Sequence, residues 1–227
     1  MNFASNVVKM LIGILVIPMS VSYAAQNTSG RDSIGIVAPV FGHIVFLHVP
    51  MEFKSADEVT KANFYIHEFV RAGETVDSWT QMITVTGNRS PQLAGGTPKQ
   101  IAEGMASGYK RTCPSSFAAR AIYQGAISGY DAFVMLVGCG SADASGSHSE
   151  VAQIAVVKAD NEFVSFQWAE RGVASDSPAT LDAAMWTARF SKLMPLRVCP
   201  VVEGEAAPYP SCVGSGNEEV LRGIRTD

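Results

Sequence analysis

The chain has 227 residues, 47% of them hydrophobic, so it is long and apolar enough to bury the core of one domain. Its 17 basic and 21 acidic side chains give a net charge of −4 and are mixed along the sequence. Because the sequence contains no Lys/Arg-rich run that could neutralise a row of phosphates, its charge pattern argues against nucleic-acid binding.

The first 24 residues have the pattern of a secretory signal peptide. A basic residue precedes an apolar stretch at 10–21, and the small residues Ser22 and Ala24 fit the specificity positions before a cleavage site. The alternative is an uncleaved anchor, but the stretch contains Pro18 and is shorter than the ~20 residues that a membrane span needs. We expect a periplasmic or secreted protein that starts at Ala25 and keeps no stable membrane span.

The first half of the exported chain is predicted to be mainly β-structure. Segment 25–40 begins with polar residues and is predicted to be a flexible lead-in. Residues 43–49 are rich in β-branched and aromatic side chains and are predicted to form a strand. The polar residues 55–61 are expected to form a loop. Further strands are predicted at 63–70 and, from the alternation of apolar residues and threonines, at 79–86.

A helix is predicted to begin after Thr97. The Thr97 hydroxyl can accept from a free backbone N–H, Pro98 suits the first helical position, and Gln100 completes a capping box. Spacings of four residues predict that the buried stripe carries Ile101, Met105 and Tyr109.

The second half is predicted to contain two hairpins and another helix. Strand 119–127 is followed by 133–137, which is apolar on both faces and therefore central in a sheet. Strands 151–158 and 163–169 flank an Asp-Asn turn. A helix is predicted to begin at Ser177-Pro178. Its core-facing residues are expected to be Leu181, Ala184, Met185 and Ala188.

This order of elements predicts an α+β fold, in which a bent antiparallel sheet of about 6–7 strands is flanked by two main helices. We assign 1–24 to the signal peptide, 25–40 to the lead-in and 41–198 to the sandwich domain. The remaining segment, 199–227, is rich in Pro, Gly and Glu and is expected to be a disulfide-stapled tail.

Four cysteines follow the leader, and their even number in an exported chain predicts two disulfides. Four thiols allow three connectivities, of which we favour the sequence-local one. A metal or redox site is the alternative, but the chain has no C-x-x-C and no histidine at ligand spacing from a cysteine. The predicted pairs are Cys113 with Cys139 and Cys199 with Cys212.

The run at 68–84, with its Gly-Glu-Thr turn and Trp-Thr-Gln-Met strand start, resembles a signature of small exported proteobacterial proteins that carry no assigned activity. The order of elements also resembles the PsbP-like α/β/α sandwich. That resemblance implies a sheet between helices and a role in binding, assembly or scaffolding. It implies no functional residue, because no functional motif of that group is matched here.

One local cluster contains the parts of a nucleophilic site, namely Ser147, His148 and Glu150. A triad needs an imidazole bonded to the hydroxyl on one side and to the acid on the other, which adjacent residues rarely allow. Because no G-x-S-x-G elbow surrounds the serine, a polar loop is the favoured interpretation and a secreted hydrolase using His148 the alternative.

The remaining histidines lie on predicted strands. His43 and His48 have opposite parity, so one strand cannot direct both to the same metal ion. His67 is a candidate to join one of them across the sheet. Calcium-loop, P-loop and dinucleotide fingerprints are absent from the sequence, and we expect no cofactor.

These observations favour an exported, non-enzymatic domain that binds another envelope protein or a ligand. Two other functions stay open at this stage. One is the hydrolase that uses His148 with Ser147, and the other is a small-ligand carrier with an aromatic pocket around Trp168.

Overall fold

The computed structural model describes residues 32–142 and 147–214, which form two antiparallel sheets, three α-helices and two short 3-10 helices. The predicted signal peptide lies outside the described residues. The strands are β1 (Ser33–Val40), β2 (His43–Pro50), β3 (Phe53–Lys61), β4 (Phe64–Arg71), β5 (Gln81–Asn88), β6 (Phe117–Ile127), β7 (Tyr130–Cys139), β8 (Ser149–Ala159), β9 (Glu162–Gly172) and β10 (Arg197–Pro200). The helices are α1 (Pro98–Thr112), α2 (Ala183–Phe190) and α3 (Pro210–Val213).

The larger sheet has seven strands in the order β3-β4-β5-β9-β8-β7-β6, and the smaller has three in the order β1-β2-β10. All of their neighbouring strands are antiparallel. The predicted antiparallel sheet of 6–7 strands with helices packed on it is thereby confirmed. The separate three-stranded sheet is an addition that the sequence pattern did not indicate.

The seven-stranded sheet carries a core on each face, as the alternating residues of β7 show. Phe133 and Met135 point to the face on which α1 packs, here called the helix face. Val134 and Leu136 point to the opposite face, where α2 and the three-stranded sheet cover them, here called the inter-sheet face. Because both faces are covered, β7 is apolar along its whole length, as its sequence predicted.

Most predicted elements are confirmed. The strands predicted at 43–49, 63–70 and 79–86 correspond to β2, β4 and β5, and both predicted hairpins form. Helix α1 begins with the predicted capping box, in which the Thr97 hydroxyl accepts from the Gln100 backbone N–H at 3.2 Å. The predicted stripe of α1 packs against the core, but the residues that α1 buries are smaller, namely Pro98, Ala102 and Ala106.

Three predictions are corrected by the structure. Residues 33–40 of the expected lead-in form strand β1, which pairs along its length with β2. The expected loop at 55–61 belongs to strand β3, an edge strand with mostly exposed side chains. The second helix starts at Ala183 and not at Ser177-Pro178, because Asp182 caps it. Its core face carries Ala183, Trp186 and Phe190, whereas Ala184, Met185 and Ala188 are exposed.

Both predicted disulfides are present, and the described residues include no free cysteine. Cys113 follows α1 and is bonded to Cys139 at the end of β7, with 5.7 Å between their Cα atoms. Cys199 of β10 is bonded to Cys212 of α3, again with 5.7 Å between Cα atoms. The first disulfide therefore ties α1 to the large sheet, and the second holds the C-terminal segment against the small one.

Candidate functional site

A groove lies on the helix face between α1 and β6. It encloses about 490 Å³ and has an apolar floor that includes Phe133 and Met135 of β7. Both floor side chains are largely buried, so the groove opens directly onto the core of that face. The wall from α1 carries Lys99, Glu103 and Lys110.

The charged rim of this groove is basic, although the whole chain has a net charge of −4. This charge comes from the two lysines of α1, and Glu103 is the one acidic lining residue. Arg120 of β6 also borders the groove, but it pairs with Leu136 and therefore directs its side chain to the inter-sheet face. The Glu103 carboxylate lies 3.8 Å from the Lys99 ammonium, so the local excess of positive charge falls nearer to Lys110. An acidic ligand is therefore the complementary one for this groove.

Strand β6, which forms the other wall, is the outermost strand of the seven-stranded sheet in the part of the chain that is described. Near its C-terminal end the Tyr123 hydroxyl donates to the Ala126 carbonyl and accepts from the Ala126 N–H, both at 3.0 Å. This side chain occupies backbone groups at that end of the strand. Tyr123 makes no such hydrogen bonds to the N-terminal half of β6, which lines the groove.

The structure brings Ser147, His148 and Glu150 together but not as a hydrogen-bonded triad. Ser147 Oγ lies 3.0 Å from His148 Nδ1, whereas His148 Nε2 lies 4.0 Å from Glu150 Oε2, which is beyond hydrogen-bond reach. The second contact that a triad requires is therefore not formed.

The Glu150 carboxylate is engaged by residues that do not line the groove. The Tyr109 hydroxyl donates to Glu150 Oε1 at 2.7 Å, and Arg171 Nε lies 3.6 Å from Oε2. The Arg171 guanidinium stacks 3.8 Å from the centre of the Trp79 ring. Burial and the negative carboxylate raise the pKa of Tyr109 well above its ordinary value. These contacts join α1, β8 and β9, so Glu150 holds the helix to the sheet.

His67 lies on the inter-sheet face of β4 and contacts neither of the other two histidines that the sequence suggested as partners. His67 Nε2 is 2.8 Å from Ser55 Oγ, and Nδ1 is 3.3 Å from the Tyr65 hydroxyl. His43 instead contacts Glu162, with its Nδ1 2.8 Å from a carboxylate oxygen, and the His48 ring contacts Phe46. In residues 32–142 and 147–214 no three His, Cys, Asp or Glu side chains converge as a metal-binding group.

Trp168 is part of the inter-sheet core. It is 2% exposed, its ring meets the Phe53 ring edge to face at 5.4 Å, and its Nε1–H donates to Gln81 at 3.2 Å. Core side chains thus surround the residue around which an aromatic ligand pocket was considered. Among the described helices, none has both the length and the apolar content to cross a bilayer.

No family model and no curated protein matches the chain. The resemblance to an exported family that rests on residues 68–84 therefore stays a prediction.

Solved structures give weak similarities at the level of the backbone. A Pseudomonas aeruginosa protein of unknown function, PA94, has a TM-score of 0.36 at 12% identity, covering 71% of this chain and 96% of that one. The Saccharomyces cerevisiae Ran-binding protein Mog1p has a TM-score of 0.36 at 14% identity, covering 72% and 86%. LpqN of Mycobacterium tuberculosis, involved in cell envelope biogenesis, has 0.37 at 10% identity, covering 74% and 91%. At these values the similarities assign no role to this chain.

The sequence missed the groove because its walls come from distant segments. The basic residues belong to α1, which precedes β6 in the chain, and the floor residues belong to β7, which follows it. In the sequence Lys99 and Lys110 read as ordinary exposed positions of a helix. Only the order of strands, which puts β6 at the edge beside α1, joins them into one surface.

Proposed function

We propose that this protein is an exported binding domain that holds an extended, acidic segment of another exported protein along β6 and in the adjacent groove. The observation that carries the proposal is the basic groove of about 490 Å³ beside an outermost strand. The leader-like N-terminus and the two disulfides support an oxidising compartment as the place where it works.

Strand addition is the mode of recognition that this surface supports best. An outermost strand offers a row of backbone N–H and C=O groups, and a peptide that pairs with it gains main-chain hydrogen bonds. Successive side chains of such a peptide point to opposite faces. Alternate residues would therefore enter the groove above Phe133 and Met135, where acidic side chains would meet Lys99 and Lys110 of α1.

The proposal is tested with a fluorescein-labelled peptide of alternating glutamate and valine added to the chain from Ala25, with fluorescence anisotropy as the readout. We expect saturable binding that weakens as salt is raised. The paired reversals Lys99→Glu and Lys110→Glu should weaken it about fivefold, since two solvent-accessible charge pairs become repulsions, at a cost of roughly 1 kcal/mol together.

Two controls make the result specific to this edge. The reversals Lys54→Glu and Lys61→Glu place the same charge change on β3, the opposite edge of the sheet, and should leave binding unchanged. The same peptide with alternate backbone nitrogens methylated keeps its charge but loses donors, so strand addition predicts that it binds much less well. Equal binding of both peptides, or equal effects of both pairs of reversals, would overturn the proposal.

A further inference from the structure

Four side chains form one hydrogen-bonded chain at the β3 edge of the seven-stranded sheet, on the inter-sheet face and away from the groove. Ser55 bonds His67, His67 bonds Tyr65, and the Tyr65 hydroxyl donates to Glu58 Oε1 at 3.0 Å. The Glu58 carboxylate is also 3.9 Å from His67 Nδ1. A hydroxyl, an imidazole and an acidic group in this order are the components of an activated serine.

A β-bulge assembles this cluster. In a regular strand Ser55 and Glu58 would point to opposite faces, because their positions differ in parity. The pairing of β3 with β4 shifts register between Ser55 and Asp57, so that Ser55 faces Phe69 and Glu58 faces His67. The extra residue in β3 thereby brings both side chains onto the face that Tyr65 and His67 share. Bulges of this kind redirect side chains and occur next to active sites.

The donors fix the tautomer of His67. The phenol has a single proton, which it donates to the Glu58 carboxylate, so its oxygen can only accept from the imidazole. The proton of neutral His67 is therefore on Nδ1. Its Nε2 lone pair then faces Ser55 Oγ at 2.8 Å, in the position that a general base occupies.

The proposed base, His67, is buried and the proposed nucleophile, Ser55, is exposed, as nucleophilic catalysis requires. His67 is 8% exposed, whereas Ser55 is an exposed residue on an edge strand. Burial lowers the pKa of His67, against the opposing charges of Glu58 and Asp57, which keeps the ring neutral and able to accept a proton at pH 7.

We infer that Ser55 is a nucleophile that His67 activates toward carboxylic esters. Ser55 Oγ bonds to the carbonyl carbon while its proton passes to His67 Nε2. The bond from that carbon to the leaving oxygen then breaks, and the leaving alcohol takes the proton from His67. Water attacks the acyl group on Ser55 by the same route, which releases the carboxylic acid and restores the hydroxyl. Tyr65 and Glu58 are positioning residues that hold the imidazole in its tautomer.

The chain from Ala25 is treated with a fluorophosphonate reporter, and the modified serine is identified by peptide mass spectrometry. We expect the label on Ser55, a burst of p-nitrophenolate from p-nitrophenyl acetate, and loss of both in Ser55→Ala. His67→Ala should slow labelling about 100-fold or more, the contribution of a general base. Added imidazole should restore part of the rate to His67→Ala but not to Ser55→Ala.

Ser147→Ala is the matched control, because Ser147 also lies beside an imidazole but its histidine forms no hydrogen-bonded triad with Glu150. It should keep the wild-type labelling rate. Urea unfolding of each variant verifies that it is folded. A wild-type chain that is not labelled at Ser55, or a His67→Ala variant that is folded and labelled at the wild-type rate, would overturn the inference. Neither result would affect peptide binding at β6, so the two proposals fail separately.

Discussion

Glu68 and Asp57 are direct neighbours across β3 and β4 and face the same side of the sheet. Partial burial and the negative charge of Asp57 raise the pKa of the Glu68 carboxyl above its ordinary value of 4.5. A carboxyl whose pKa is higher in the folded chain than in the unfolded chain stabilises the fold while it is protonated. That contribution is lost as pH rises through its folded pKa.

The variant Glu68→Gln removes this titration. We expect it to raise the free energy of unfolding at pH 7, by less than about 1 kcal/mol because water still reaches the group. The gain should vanish near pH 4, where the wild-type carboxyl is itself largely protonated. Urea unfolding at both pH values measures the difference.

Glu52→Gln serves as the control for this prediction, since Glu52 is exposed and its replacement removes the same single charge from the chain. A gain of equal size in Glu52→Gln would attribute the effect to net charge. A gain for Glu68→Gln that is as large at pH 4 as at pH 7 would contradict the role of its ionisation.

At this scale the sequence identified groups but not their partners. Glu150 and His67 were both selected from their chemistry, yet Tyr109 lies 41 positions from Glu150 and Ser55 lies 12 positions from His67. The contact between Ser55 and His67 depends on a register shift within β3. The residues of β3 are mostly polar, so their sequence contains no alternation from which this shift could be predicted. Candidate residues can thus be read from composition, whereas the geometry that joins them is a property of strand pairing.

Among the elements, α1 is the one whose start the sequence specifies most completely. The Thr97 hydroxyl accepts from the Gln100 N–H, and the Gln100 side chain accepts from the Thr97 N–H at 2.9 Å. Both bonds satisfy backbone donors that have no partner within the helix. This helix also supplies one wall of the groove, so its first turn supports the proposed binding surface.

Thr97→Ala is expected to lower the free energy of unfolding by about 1 kcal/mol, the usual cost of losing an N-terminal cap. Thr112→Ala is the matched control on the same helix. Its hydroxyl donates to the Gly108 carbonyl, which already belongs to the helix, so the loss should be less than about 0.5 kcal/mol. Urea unfolding followed by circular dichroism measures the stability of both variants. Equal losses of stability would show that the Thr97 cap contributes no more than an ordinary hydroxyl within the helix.

Element prediction failed where packing overrides pattern. Strand β3 has exposed side chains at most positions, so it lacks the alternation by which a half-buried strand is recognised. For α2, residues 181, 184, 185 and 188 have helical spacing, but so do Ala183, Trp186 and Phe190. The larger aromatic side chains gain more from burial and therefore set the face that turns inward.

At the scale of the whole molecule, the two sheets approach each other most clearly at Gly87 of β5. A Cβ atom built there would overlap Val40 Cγ1 of β1 and would lie 3.2 Å from the Phe41 ring. A side chain at this position would have to push the small sheet away from the large one. We expect Gly87→Ala to destabilise the protein by about 1–3 kcal/mol, as overpacked cores do.

Gly104→Ala is the opposite case within the same chain. Gly104 is exposed on α1, and no heavy atom outside its own helix environment lies within 4 Å of the added Cβ. Alanine should therefore stabilise the protein by up to about 1 kcal/mol through its higher helix propensity. Thermal unfolding of both variants should shift in opposite directions, and a stabilised Gly87→Ala would contradict the close contact between the sheets.

The two disulfides constrain the whole chain unequally. Cys113 and Cys139 are 26 positions apart, twice the 13 positions between Cys199 and Cys212, and a doubled loop adds about 0.6 kcal/mol of closure entropy. We expect both double alanine variants to lose stability, by roughly 2–5 kcal/mol each, with the Cys113/Cys139 variant losing more. The deeper burial of that pair acts in the same direction. Urea unfolding measures which of the two variants loses more stability. A thiol titration of the native wild-type protein checks that both disulfides are formed, and we expect it to find no free thiol. A larger loss in the Cys199/Cys212 variant would show that the C-terminal segment contributes more to stability than loop length implies.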